Sequence, residues 1–164
     1  MKLISVDMLF AILRNDYDKY DNRLKRSVLK VFITIYDIFH TNGLFSLDQE
    51  FHSKTLQMVF MAFEPQNGCS DDSNVLLNSM ELLKRLSTIE SVLNVLIADE
   101  NVSKYLHILL TNESEEMKIC VFVWICDLLE NDSIRRKFAN ILLNDSMNSL
   151  IELLNSSHNP FISK

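Results

Sequence analysis

Glycine and proline are nearly missing from this chain, two of each in 164 residues. Sheet-rich folds turn tightly and often, and tight turns lean on those two residues. Their scarcity disfavours a sandwich or barrel and favours helices joined by polar loops. Two glycines also leave no material for a Gly-rich phosphate loop. Cysteine is sparse and odd in number: Cys69 sits in a polar stretch, Cys120 and Cys126 in one apolar run. No pairing pattern appears, so reduced thiols and an intracellular setting, cytoplasmic or nuclear, are expected. No apolar run approaches the ~18–20 residues that span a bilayer, so membrane insertion is not expected. The first residues do not read as a secretory signal.

Positive charge is also short. Lysine and arginine number 16 against 22 acidic residues, a net charge of −6 and a pI near 5.2. A nucleic-acid surface needs clustered Lys and Arg to neutralise phosphates. The basic residues here are scattered apart from Arg23–Lys30 and Arg135–Lys137, each read as the solvated face of a helix. Direct nucleic-acid binding is therefore not expected. Neither His-Glu-x-x-His nor paired Cys-x-x-Cys occurs, and His40, His52, His107 and His158 are dispersed, reading as surface or loop residues. The alternating aspartates of residues 15–22 lack the glycine and terminal glutamate of a calcium loop. Acidic neighbours of Cys69 disfavour its thiolate. The inventory points to no enzyme, no metal and no cofactor.

What is present is leucine-rich helical periodicity in 48% hydrophobic sequence, enough for a continuous core. An apolar helix is expected over residues 3–14, followed by a polar linker. The longest helix is expected over 23–41, where Leu24, Val28, Val31, Phe32, Ile35, Ile38 and Phe39 recur as a buried stripe. Gly43 suits a helix stop. Ser46-Leu47-Asp48-Gln49 reads as a capping box opening a helix through about Phe63. Residues 64–73 (EPQNGCSDDS) oppose helix, and Asp71, Asp72 and Ser73 can cap the next one.

Two later stretches share one plan. Asn74–Asn112 reads NVLLNSMELLKRLS, TIESVLNVLIAD, ENVSKYLHILLTN, and Met117–Asn155 reads MKICVFVWICDLLEN, DSIRRKFANILLN, DSMNSLIELLN. Leu106, Leu109 and Leu110 fall on Leu150, Leu153 and Leu154, an offset of about 44 residues. The polar breaks recur as well, each placing Ser, Thr, Asp or Asn ahead of an apolar run where it can cap a new helix. A unit of this kind cannot bury both apolar faces alone and stacks on neighbours.

The motif Leu83-Lys84-Arg85-Leu86 and its counterpart Ile125-Cys126-Asp127-Leu128 end long helices. Leu109-Leu110 and Leu153-Leu154 end the last helix of each unit, and Ile35-Tyr36-Asp37-Ile38 reads as a third copy. In these features the chain resembles armadillo-type repeats, with HEAT repeats a near-equal match. The resemblance implies an all-α, short right-handed armadillo/HEAT-like helical solenoid in one domain spanning 1–164. Residues 1–22 form a cap helix and linker, 23–73 a diverged unit, and 74–116 and 117–160 two further units. After Leu154 the register calls for another long helix near Asn159-Pro160, so a piece of a longer solenoid is expected, with a folded-back tail as the alternative.

In armadillo proteins the third helix of each unit lines a groove that holds an extended peptide, clamped by an asparagine. That position corresponds here to Asp37, Arg85 and Asp127, none of them asparagine, which disfavours import-type basic peptides. The resemblance implies a groove along helices 23–41, 74–87 and 117–130, carrying Asp37, Glu81, Arg85, Trp124 and Asp127. The aspartates suit a basic partner segment and Arg85 an acidic one. The bland reading of Asp37, Arg85 and Asp127 is a solvated helix face, and that of Trp124, inside VFVWIC, is core. The expected function is a non-enzymatic scaffold that binds a partner peptide or helix. The alternative is a compact bundle acting as a dimerisation or regulatory domain. As a homodimer it would use a leftover apolar stripe, expected on 3–14 or 147–155.

Overall fold

A computed structural model describes residues 21–42, 49–63, 72–132, 134–143, 148 and 151. The described residues are all-α. They form α1 (Asn22–Asn42), α2 (Gln49–Phe63), α3 (Ser73–Leu86), α4 (Glu90–Ala98), α5 (Val102–Leu110), α6 (Glu115–Glu130) and α7 (Arg135–Ile141), with no strand among them. The expectations for the helix over 3–14, the Gly43 stop, the cap residues 46–48, the break at 64–71 and nearly all of 144–155 lie outside the described residues. Two compact units divide the chain, Met1–Val92 and Leu93–Lys164.

In the first unit α1 begins one residue earlier than its apolar periodicity suggests, because Asp21 caps it. The Asp21 carboxylate accepts from the backbone N–H groups of Arg23 and Leu24, satisfying donors that the first turn leaves without partners. Asp72 does the same for α3, accepting from Asn74 N at 2.9 Å. Phe32 stacks on Phe51 with ring centroids 5.8 Å apart, and Tyr36 lies 6.0 Å from the same ring. These contacts bring the second half of α1 to the start of α2, so the chain doubles back. Two ion pairs then fix α3 against α1. Arg26 lies 3.6 Å from Asp72 near the start of both helices, and Arg85 lies 2.6 Å from Asp37 towards their ends. Pairing start with start and end with end means that α1 and α3 run parallel, α2 returning between them.

The core of this unit is Val28, Leu29, Phe32 and Tyr36 of α1, Leu56, Val59, Phe60 and Phe63 of α2, and Val75, Leu76, Met80, Leu83 and Leu86 of α3. Each large apolar side chain removed from water contributes about 1.5–3 kcal/mol before chain entropy is set against it. The expected stripe of α1 is corrected here. Val28 and Phe32 are buried, but Leu24, Val31 and Ile38 are 41%, 42% and 49% exposed, and Leu29 and Tyr36 take the inward places. The reason is angular. Residues 28, 29, 32 and 36 lie on one side of a 3.6-residue helix and 24, 31 and 38 on another, so α1 carries two apolar stripes and α2 and α3 cover one of them.

In the second unit α6 is the central described helix, with α5 and α7 packed on it. Ser114 caps it, its hydroxyl accepting from Met117 N at 3.3 Å, and Glu115 and Glu116 in the first turn favour the positive end of the helix dipole. Met117, Val121, Trp124, Ile125 and Leu128 face inward with Leu106, Leu109, Leu110 and Phe138. At the far end Arg135 donates to the carbonyls of Leu129 and Glu130 at 2.6 and 3.3 Å. A guanidinium there satisfies carbonyls that the last turn leaves open.

Candidate functional site

Of the five residues singled out by sequence, the fold brings three into contact: Asp37, Glu81 and Arg85. Arg85 is the hub. Its Nε and Nη2 donate to the two carboxylate oxygens of Asp37 at 2.6 and 3.2 Å. Its Nη1 donates to Glu81 Oε2 at 2.9 Å and to the Glu81 carbonyl at 3.0 Å. The fork geometry of guanidinium matches a carboxylate bidentately. Glu81 stands one turn before Arg85 on the same helix, where side chains are neighbours, and Lys84 adds a weaker contact to it at 3.7 Å.

Asp37 is more than half exposed, so this cluster sits at the surface. Donation to Asp37 holds the Arg85 guanidinium above its ordinary pKa, partial burial works against it, and Glu81 adds to the rise. Arg85 therefore carries its charge at every physiological pH. Asp37 and Arg85 occupy corresponding places in Ile35-Tyr36-Asp37-Ile38 and Leu83-Lys84-Arg85-Leu86, so the pair joins like positions of two parallel helices.

Trp124 and Asp127 belong to the second unit. Trp124 is 2% exposed and meets Phe138 edge-on at 5.9 Å; its indole is part of that unit's core. Asp127 is exposed on the same helix. Next to it the Cys126 thiol is pushed above its ordinary value by burial and then by Asp127 and Glu130. A thiol so placed holds little thiolate, the form that reacts.

Sequence reasoning missed a buried polar contact in the first unit. His52 is buried, not a surface histidine, and its Nδ1 lies 2.9 Å from Tyr36 Oη. The tyrosine hydroxyl donates when Nδ1 carries no proton. Burial drives the Tyr36 pKa well above its ordinary value, and the Thr55 hydroxyl works in the opposite direction. His52 sits inside the apolar period of EFHSKTLQMVF, the signal that could have placed it in the interior. The basic run Arg23–Lys30 is corrected in part as well. Arg23 and Lys30 are exposed, but Arg26 is half-buried against Asp72 and Lys25 is 4% exposed.

The second missed feature is the outward stripe of α1. Leu24, Val31 and Ile38 recur every seven residues, with Ser27 and Thr34 between them. Both hydroxyls donate to carbonyls of the same helix, Ser27 to Arg23 O and Thr34 to Lys30 O, each at 2.9 Å. The stripe is thus apolar side chains interleaved with small, internally satisfied ones, beside the Asp37–Arg85 pair. Among the described residues no helix is long and apolar enough to cross a membrane, and no group of three metal-ligating side chains occurs. No model of a known protein family, no curated protein and no solved structure matches the chain.

Proposed function

We propose that this chain is a non-enzymatic protein–protein interaction module, a helical scaffold of armadillo/HEAT type that receives a partner helix on α1. The observation that carries the reading is the exposed stripe of Leu24, Val31 and Ile38 on a helix whose other face is already in the core. Exposed apolar side chains that line up along one helix mark a surface that gains by being covered. Spacing of seven with small residues between is the pattern by which one helix seats another.

The parallel course of α1 and α3, with like positions Asp37 and Arg85 joined, supports the repeat component of this reading. It also changes the role of those two residues. Asp37 and Arg85 pair bidentately with each other, so they act as a brace that holds α1 in place, and the docking surface is the stripe alongside. The test is a photo-crosslinking amino acid in place of Val31 in the full chain. Capture of a helical segment at that position, lost when Leu24→Glu and Ile38→Glu are added, is the expected result. Absence of any captured segment, with turnover of small metabolites by the same protein, overturns the reading.

A further inference from the structure

We propose that the occupant of the α1 stripe is α1 of a second copy, packed antiparallel about a two-fold axis at Val31. The inference rests on the interaction-module reading and names its partner.

The first argument is self-complementarity. Leu24 stands seven residues before Val31 and Ile38 seven after it. Turning one helix end for end about Val31 sets each Leu24 against the other copy's Ile38 and the two Val31 side chains near each other. A two-fold interface uses the same patch twice and needs a patch that fits itself in this way.

The second argument is charge. Arg23, Lys30 and Asp37 also recur every seven residues, along an exposed border of the stripe whose end meets α3 through the Asp37–Arg85 pair. The opposite border carries Val28 and Ile35. An antiparallel pairing brings like borders together, so each Arg23 meets the other copy's Asp37, twice per dimer. A parallel pairing would set the charged border of one copy against the apolar border of the other and form no ion pair. The antiparallel arrangement leaves one like-charge meeting, Lys30 with its mate at the axis. A lysine reaches away from such a contact along its flexible stem and keeps its head in water.

The third argument is what the contact would bury. Ser27 and Thr34 already donate to Arg23 O and Lys30 O. Covering them strands no hydroxyl donor, which is the usual penalty of burying a polar residue. Their small size lets the two helices approach closely. The contact is one helix face of about four turns, smaller than the roughly 800 Å² per partner of a standard stable interface. A weak, reversible dimer follows.

The test uses the full chain. Sedimentation velocity over a hundredfold concentration range is expected to show a monomer passing to a dimer. Val31→Lys is expected to abolish the dimer while leaving the circular dichroism spectrum and urea midpoint unchanged, because Val31 is on the surface. With the native cysteines replaced by serine and folding checked by the same spectrum, Val31→Cys is expected to form a disulfide with its own copy. Leu24→Cys is expected to pair with Ile38→Cys and not with itself. A monomer at every concentration, or Leu24→Cys pairing with itself, overturns the proposal. Capture of another protein's helix at position 31 by a strictly monomeric chain overturns it while the interaction-module reading stands. A monomer whose position 31 crosslinks only within its own chain overturns both.

Discussion

Arg85 carries more hydrogen bonds to acidic side chains than any other described arginine, and its value is a matter of geometry. The pair with Asp37 is bidentate but partly open to water, so its net contribution is modest. In a cycle built from Asp37→Asn, Arg85→Gln and the double variant, the coupling energy from urea denaturation is expected at about 0.5–1 kcal/mol. It is expected to shrink at about 1 M salt, where exposed charges are screened. A coupling near zero at low salt would remove the brace from the account. Tyr36 is legible in a different way. Its hydroxyl is buried beside His52 and its pKa is raised by that burial. An unfolded tyrosine ionises near pH 10, so above that pH the unfolded chain binds fewer protons than the folded one. The stability held by the neutral hydroxyl is full below about pH 10 and falls as pH rises, by up to about 1.4 kcal/mol at pH 11. Tyr36→Phe is expected to lose less stability than the native chain between about pH 9 and 11. Equal losses, read as urea midpoints at both pH values, would show that Tyr36 does not set this slope. Neither contact was visible in the sequence. Residues 36 and 52, like 37 and 85, are brought together by the turn of the chain, and single-helix periodicity carries no information on that.

At the scale of the element, local chemistry was enough to find most helices. Of the expected α2 stripe of Leu47, Phe51, Leu56, Val59, Phe60 and Phe63, the last four are interior, Phe51 is half-buried and Leu47 lies outside the described residues. The three-part plan read over Asn74–Asn112 appears as α3, α4 and α5. Caps were read less well. Asp72 caps α3 as its position allows, but Asn101, the N-cap residue of α5, makes no side-chain cap bond, and the N-cap residue of α7 is Ile134, which has none to make. On α6 the cap is Ser114, whose hydroxyl accepts from Met117 N. Ser114→Ala is expected to destabilise the protein by about 0.5–2 kcal/mol and Ser114→Asp to restore most of that, since either side chain can accept from the N-terminal amides. Thermal or urea unfolding measures both, and an unchanged midpoint for the alanine variant would show that water or Glu115 replaces the cap. On α1 the lesson is different. Of the seven apolar positions expected in one buried stripe, Val28 and Phe32 are buried and Leu24, Val31 and Ile38 are exposed, because the two sets lie at different angles around the helix and α2 and α3 cover only one of them.

For the whole molecule the governing quantity is charge. The net charge is −6, and among the described residues Arg26 and Arg85 are already paired with Asp72, Asp37 and Glu81. A gel-shift titration with duplex DNA at about 150 mM salt is expected to show no complex, since non-specific binding needs several phosphates neutralised together. A salt-sensitive shift would expose a basic face that the pairings do not suggest. The amino-acid sequence by itself determined that the described part of this protein is helical and where most of those helices lie. Those properties follow from composition and from periods of three to four residues, which are local. Only the tertiary structure decided which apolar stripe of α1 is core and which is surface, that His52 is interior, and that Asp37 meets Arg85. Each of those depends on how one helix is placed against another. A helix with two apolar stripes can satisfy either, and the choice is made by the packing of α2 and α3 rather than by anything written in α1.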